Sequence, residues 1–263
     1  MVSYTHTEQP VLLPLITDFM RTLVFSDIHA NLIALEAVLS HAAGQYDRLW
    51  FLGDLVGYGP NPNECVERLR ELMPDVALSG NHDWAVLRKL DADEFNDDAR
   101  KMVHWTRREL TAENLAYLNS LPPLHVAAPF TLAHASPRHP VWEYILDLET
   151  ALENFDYFDT PYCLVGHSHI PALFALDEIA AELNFYLVGD GETIDLSRGR
   201  LILNPGGVGQ PRDGDPRAAY ALIDDESQTW TLRRVAYDVA ETQRRMRDLK
   251  LPPRLIERLE FGM

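Results

Sequence analysis

The chain has little cysteine, few basic residues and no long apolar run. Cys65 and Cys163 are its only thiols, far apart and not in CxxC spacing, so neither a disulfide framework nor a cysteine-based zinc site is indicated. Each reads as a small buried hydrophobe. Lys and Arg number 23 against 40 Asp and Glu, a formal net charge of −17. That balance argues against a protein that coats DNA, RNA or an anionic bilayer, because such partners need a basic face. No stretch approaches the roughly 20 apolar residues of a membrane-spanning helix. Residues 1–20 lack the basic start and long apolar core of a secretory signal. The expectation is a cytoplasmic protein that neither enters membranes nor holds nucleic acid stably. Residues 1–20 are expected to form an N-terminal extension and 21–263 a single domain. No repeat, low-complexity tract or linker is visible. The 263 residues, 46% hydrophobic, suffice for a core without staples, and ten histidines stand out beside the two cysteines.

From Thr22 short apolar runs alternate with amphipathic stretches. Thr22–Phe25, Arg48–Leu52 and Val76–Leu78 read as strands; Leu32–Leu39, behind Asn31, and Pro62–Leu72, behind a candidate cap at Asn61, read as helices. This order predicts a parallel sheet with right-handed crossovers. Residues 84–121 are rich in helix formers and charge and read as a helical insertion, with Trp84, Trp105 and Tyr117 as its core. Further strands are predicted at Phe130–Ala133, Tyr162–Val165, Leu201–Leu203, Tyr220–Ile223 and Thr229–Arg233, with helices from Val239 and Pro253.

The chemistry collects where strands end. Asp27 and His29 follow the first strand, Asp54 the second, and Asn81, His82 and Asp83 the third. The C-terminal edge of a parallel sheet is where such folds bind ligands. Asp27 to Asp54 and Asp54 to Asn81 are equal steps, as two βα units of equal length would give. Two later strands end in His134 and in Gly166-His167-Ser168-His169. Imidazoles mixed with hard oxygen donors, and no thiolate, suit Mn²⁺, Fe, Co²⁺, Ni²⁺ or Zn²⁺ in expanded coordination rather than a structural tetrahedral zinc. A carboxylate at the middle strand end, Asp54, can bridge two such ions, an arrangement that serves in-line displacement at phosphorus.

The ordered blocks D-x-H, G-D, G-N-H-D, a lone H and G-H-x-H resemble the calcineurin-like metallophosphoesterase superfamily. The segment Asn204–Asp215 and the GYGP stretch after Asp54 resemble its small bacterial and archaeal phosphodiesterases, and the DRG pattern of protein phosphatases is missing. The resemblance implies an α/β fold of four layers, a two-sheet β sandwich flanked by helices, with a dinuclear centre at one edge. It implies Asp27, His29 and His169 around one divalent ion, Asn81, His134 and His167 around a second, and Asp54 between them, with manganese the first choice of metal. His82 resembles the residue that stabilises transition-state charge and protonates the leaving oxygen. Asp83 is a candidate to orient His82. Arg212, in a Gly-rich turn, and Arg138 are candidates to meet substrate phosphate.

The function implied is hydrolysis of a small phosphodiester, for example a cyclic nucleotide, by a hydroxide bridging two metal ions. One alternative is a phosphomonoesterase or dinucleoside polyphosphate hydrolase. Another is an inert binding scaffold of the same fold, which would have no use for His82.

Overall fold

The computed structural model describes residues 19–177, 179–197 and 199–263, so the expected extension lies, apart from its last two residues, outside them. Strands β1 (Arg21–Phe25), β2 (Arg48–Phe51) and β3 (Val76–Ala77) are linked by helices α1 (Leu32–Ala42) and α2 (Pro62–Leu72). Helices α3 (Asn81–Val86), α4 (Asp97–Glu109) and α5 (Ala112–Ser120) follow, then β4 (Leu124–Ala127), β5 (Phe130–Ala133), α6 (Leu148–Asn154) and β6 (Tyr162–Leu164). The chain continues through β7 (Pro171–Asp177), β8 (Glu182–Leu187), β9 (Thr193–Asp195), β10 (Arg200–Pro205), β11 (Ala218–Asp224) and β12 (Thr229–Val235). It closes with α7 (Val239–Asp248) and α8 (Pro253–Glu257).

Two six-stranded sheets result, β3-β2-β1-β11-β12-β9 and β4-β5-β6-β10-β7-β8. β1, β2 and β3 pair in parallel as predicted, with Phe25 opposite Phe51 and Phe51 opposite Ala77. Side chains alternate across a strand, and here both faces are buried. Leu23, Phe25, Leu49, Phe51 and Tyr220 point to a helix-covered core, whereas Val24, Trp50, Leu52, Ala221 and Ile223 point into the space between the sheets. There they meet Phe130, Leu132, Leu164, Leu201 and Leu203 of the second sheet. On that sheet's outer side, Cys163, Ile202 and Phe174 pack with Ala151 and Phe155, so the layers run helix, sheet, sheet, helix. Both cysteines are buried and free.

The segment expected as an insertion is helical but is built into the helical layer. Phe95, Met102, Val103, Leu110 and Leu118 share one core with α1 and α2, with Trp105 and Tyr117 packed against it. Local chemistry fixes these helices: Asn31 caps α1 through Ala34 N, Asn96 caps α4 through Ala99 N, and Thr111 caps α5 through Asn114 N. Asn61 does not cap α2; its side chain donates to Glu64 (3.2 Å), and Pro62 alone marks the start. β4, β7, β8, β9 and α6 were not predicted. Among the described residues no helix is long and apolar enough to cross a membrane.

Candidate metal centre

Asp27 and His29 leave β1, Asp54 leaves β2, Asn81 opens α3 after β3, His134 leaves β5, and His167 and His169 leave β6. All seven are buried. Five of them have left-handed backbone: φ is 57° at Asp27, 47° at His29, 57° at Asp54, 63° at His167 and 60° at His169. Such values are uncommon for residues with a Cβ, and outliers that cluster mark sites whose surroundings over-determine them. The surroundings do so here through cross-straps between neighbouring strand ends. Asp27 N donates to Gly53 O (3.0 Å), His29 N to Asp54 O (3.0 Å) and Gly166 N to His134 O (2.7 Å). His167 N donates to Asp27 Oδ2 (3.0 Å) and His82 N to Asp54 Oδ1 (2.9 Å).

The side chains form two joined groups. In one, His29 Nε2 and His169 Nε2 are 3.0 Å apart, with Asp27 Oδ1 3.2 Å from His169 Nε2 and 3.7 Å from His29 Nε2. In the other, His134 Nε2 lies 3.3 Å from Asn81 Oδ1, and His134 and His167 share a donor cluster with Asp54. A single oxygen, Asp54 Oδ2, stands 3.5 Å from His29 Nε2 and 3.4 Å from His134 Nε2 and so belongs to both.

Hydrogen bonds on the far side of each ring set the tautomers. His29 donates Nδ1–H to Val56 O (3.2 Å), His169 to Gln210 O (2.5 Å) and His134 to Leu52 O (2.9 Å), leaving Nε2 aimed inward. His167 is turned the other way, donating Nε2–H to Trp142 O (3.2 Å). The inward nitrogens of His29 and His169 thus face each other as lone pairs, a repulsive pairing that a shared cation removes. Their 3.0 Å separation suits two adjacent ligands each about 2.1 Å from one ion. Asp27 Oδ1 is buried with no hydrogen-bond partner among the described residues, which fits a metal ligand. The residues present fit two divalent cations.

The electrostatics agree. Burial would raise the carboxyls of Asp27 and Asp54, yet the imidazoles around them, His169 and His134 for Asp27 and His134 and His82 for Asp54, hold both well below the usual range. Burial lowers His29 and His169, and takes His167 down to about 3 with the help of the His134 charge. Only His134 goes up: burial opposes its protonation, but the Asp54 carboxylate overrides this and raises it to about 9.

His82 sits at the edge of the set, its ring 4.9 Å from His29, 4.5 Å from Tyr58 and 5.0 Å from Phe95. Burial, helped by the Arg212 charge, lowers it to about 4, and its Nδ1 is buried without a partner among the described residues. Asp83 does not orient it. The Asp83 carboxylate accepts from Gly80 N (2.9 Å), Val56 N (3.1 Å) and Leu55 N (3.3 Å), tying the second and third strand ends together, because at the third position of α3 it points back towards those amides. Burial and the nearby Asp54 charge raise its carboxyl to about 7.

Arg212 reaches the rim of the cluster, where Nη2 donates to Gln210 Oε1 (3.2 Å) and Tyr58 Oη (3.5 Å), and Nε is buried with no partner among the described residues. Arg138 is not brought to the cluster. Its guanidinium is taken up by Glu143 and Glu153, for the physical reason that in an acidic chain two carboxylates lie within its reach. Three aromatic residues at the centre were not singled out from the sequence as part of it: Tyr58, Trp142 and Tyr144, the last stacked on His167 at 3.8 Å. Tyrosine and tryptophan in apolar surroundings read as core, so only the loop geometry reveals them.

A family model, the calcineurin-like phosphoesterase superfamily domain, matches residues 20–228. The crystal structure of a metallophosphoesterase from Sphaerobacter thermophilus is 50% identical, covers 94% of this chain and 100% of that one, and superposes with a TM-score of 0.86. An uncharacterized protein of Methanocaldococcus jannaschii is 38% identical over 245 residues, 91% of this chain and 97% of the relative. A symmetrical bis(5'-nucleosyl)-tetraphosphatase of Pectobacterium atrosepticum is 32% identical over 105 residues, which take in 34% of this chain and 37% of that enzyme.

Proposed function

The chain belongs to the calcineurin-like phosphoesterase superfamily, and from that premise we propose that it is a metal-dependent phosphodiesterase acting on a small phosphodiester such as a cyclic nucleotide. The observation that carries the reading is Asp54 Oδ2, 3.5 Å from one buried donor group and 3.4 Å from the other. Asp27, His29 and His169 would hold one ion, Asn81, His134 and His167 the second, and Asp54 both. Mn²⁺ is the first choice that the family resemblance implies, with Fe, Ni, Co and Zn as further choices; the mixed oxygen and imidazole donors admit all five. When bound, two divalent ions supply Lewis-acid polarisation of phosphoryl oxygen and a water of lowered pKa.

The chain's own residues do the rest. Arg212, its Nε without a protein partner, pairs with a non-bridging phosphate oxygen. His82 is neutral near pH 7, so it offers an N–H to the oxygen that gains negative charge as the leaving group departs. Asp83 keeps the second and third strand ends in register. Burial of the donors excludes bulk water and strengthens each of these interactions.

The partial likeness to the bis(5'-nucleosyl)-tetraphosphatase supports a second reading, hydrolysis of dinucleoside polyphosphates. Turnover of bis(4-nitrophenyl) phosphate, 4-nitrophenyl phosphate and a dinucleoside tetraphosphate in one metal separates the readings. The first predicts the diester to be the best substrate. Preference for the tetraphosphate selects the second, and a metal-loaded protein inert to all three is the binding scaffold.

A further inference from the structure

Two aromatic side chains at the metal centre are half outside the protein. Tyr144 is 45% exposed and Trp142 is 39% exposed, although each has one side packed into the site. The Tyr144 ring lies on His167 with 3.8 Å between centroids and 25° between planes. Trp142 meets Phe95 edge to face at 5.2 Å, and Phe95 meets His82 the same way at 5.0 Å. Tyr144 also lies close enough to Arg212 for the guanidinium to influence its hydroxyl. One aromatic therefore adjoins a proposed metal ligand and the anion-binding arginine, and the other adjoins the neighbour of His82.

The loop that presents them is held rigidly. Glu143, between the two, accepts from Ser136 Oγ (2.8 Å), Arg138 Nε (3.0 Å) and Asn154 Nδ2 (2.8 Å). The Trp142 carbonyl takes the His167 N–H. A fixed loop loses little entropy when its exposed rings are covered, the condition under which apolar contact yields affinity.

We propose that Trp142 and Tyr144 form a ledge that receives a planar aromatic or heteroaromatic ring of the substrate, while Arg212 and the metal centre take its phosphate. This rests on the phosphodiesterase reading and deepens it from a small diester to a ring-bearing one. The occupant is the substrate's own organic group, because the ledge is contiguous with the anion site. Stacking of a base on an aromatic side chain is enough for roughly a tenfold preference, which corresponds to about 1.4 kcal/mol.

Calorimetry on the metal-loaded protein with methylphosphonate, phenylphosphonate and a nucleoside monophosphate tests this without turnover. The readout is the ratio of ring-bearing to methyl affinity, which cancels any change in the metal centre common to both. The expected ratio is about ten or more in the wild type, falling to below about three in both Trp142→Leu and Tyr144→Leu. Two variants guard against one that fails to fold. A higher ratio for the nucleotide than for phenylphosphonate identifies a base as the ring; the reverse identifies a simple aryl group, and both support the ledge. If methylphosphonate binds and the rings add nothing, or if both variants keep the wild-type ratio, the ledge is overturned while the phosphodiesterase reading stands. If no phosphonate binds at all, the ledge is overturned, and turnover of bis(4-nitrophenyl) phosphate by the same protein decides the phosphodiesterase reading separately.

Discussion

Asp54 joins the two donor groups through one oxygen, so its loss should cost more than the loss of any terminal ligand. Asp54→Asn keeps the shape but weakens the bridge, and is expected to leave less than one tightly held ion per chain by metal analysis after dialysis. In the proposed mechanism His82 would act on the leaving oxygen and would not hold metal. His82→Ala should keep two ions and lose about 100-fold or more in kcat, the scale of a lost proton-transfer group. Retained turnover would remove His82 from the mechanism. The pH dependence follows from His134, raised to about 9 by Asp54, so in the metal-free protein it is protonated through the neutral range. Coordination requires the neutral ring, so metal binding displaces that proton, and affinity should rise with pH until about 9. Calorimetry in buffers of different ionisation enthalpy should show proton release at pH 7; proton uptake would contradict the assignment. At this scale residue type and order made the buried donor cluster legible. The left-handed backbone at five of its residues, and the use of Asp83 on amides rather than on His82, depend on where loops cross and leave no pattern in the sequence.

The elements were legible where the chain must bury both faces of a strand. β1 and β2 are nearly continuous apolar runs, and equal spacing from Asp27 to Asp54 to Asn81 foretold three adjacent strand ends. β8 and β4 are largely exposed and β9 has three residues, so no apolar alternation announced them. The strand ends approach one another closely, and Gly80 shows how closely: a Cβ there would lie 2.6 Å from the Asp54 backbone nitrogen. Gly80→Ala should therefore lower the unfolding free energy by about 1–3 kcal/mol, as overpacking does, and weaken metal retention with it. Denaturant unfolding checks this. An unchanged midpoint together with full metal content would show that the loops yield without cost.

For the whole molecule, a formal charge of −17 accompanies a donor cluster proposed to take a phosphate group. In the proposed reading, two divalent ions would concentrate positive charge in one cleft and leave the remaining surface strongly acidic, which would admit a small diester and repel a long polyanion. A long oligonucleotide should compete poorly with a small diester at low salt and better as salt screens the repulsion. Inhibition that is strong at low salt and lost at high salt would point to a basic track instead. The two donor groups are proposed to act as one dinuclear centre, and the other expected outcomes depend on it. Titrating metal-free protein with Mn²⁺ while following hydrolysis of bis(4-nitrophenyl) phosphate tests it most directly. Activity should stay low through the first equivalent and rise to its plateau at two ions per chain. Full activity at one equivalent, or none at two, would contradict the account.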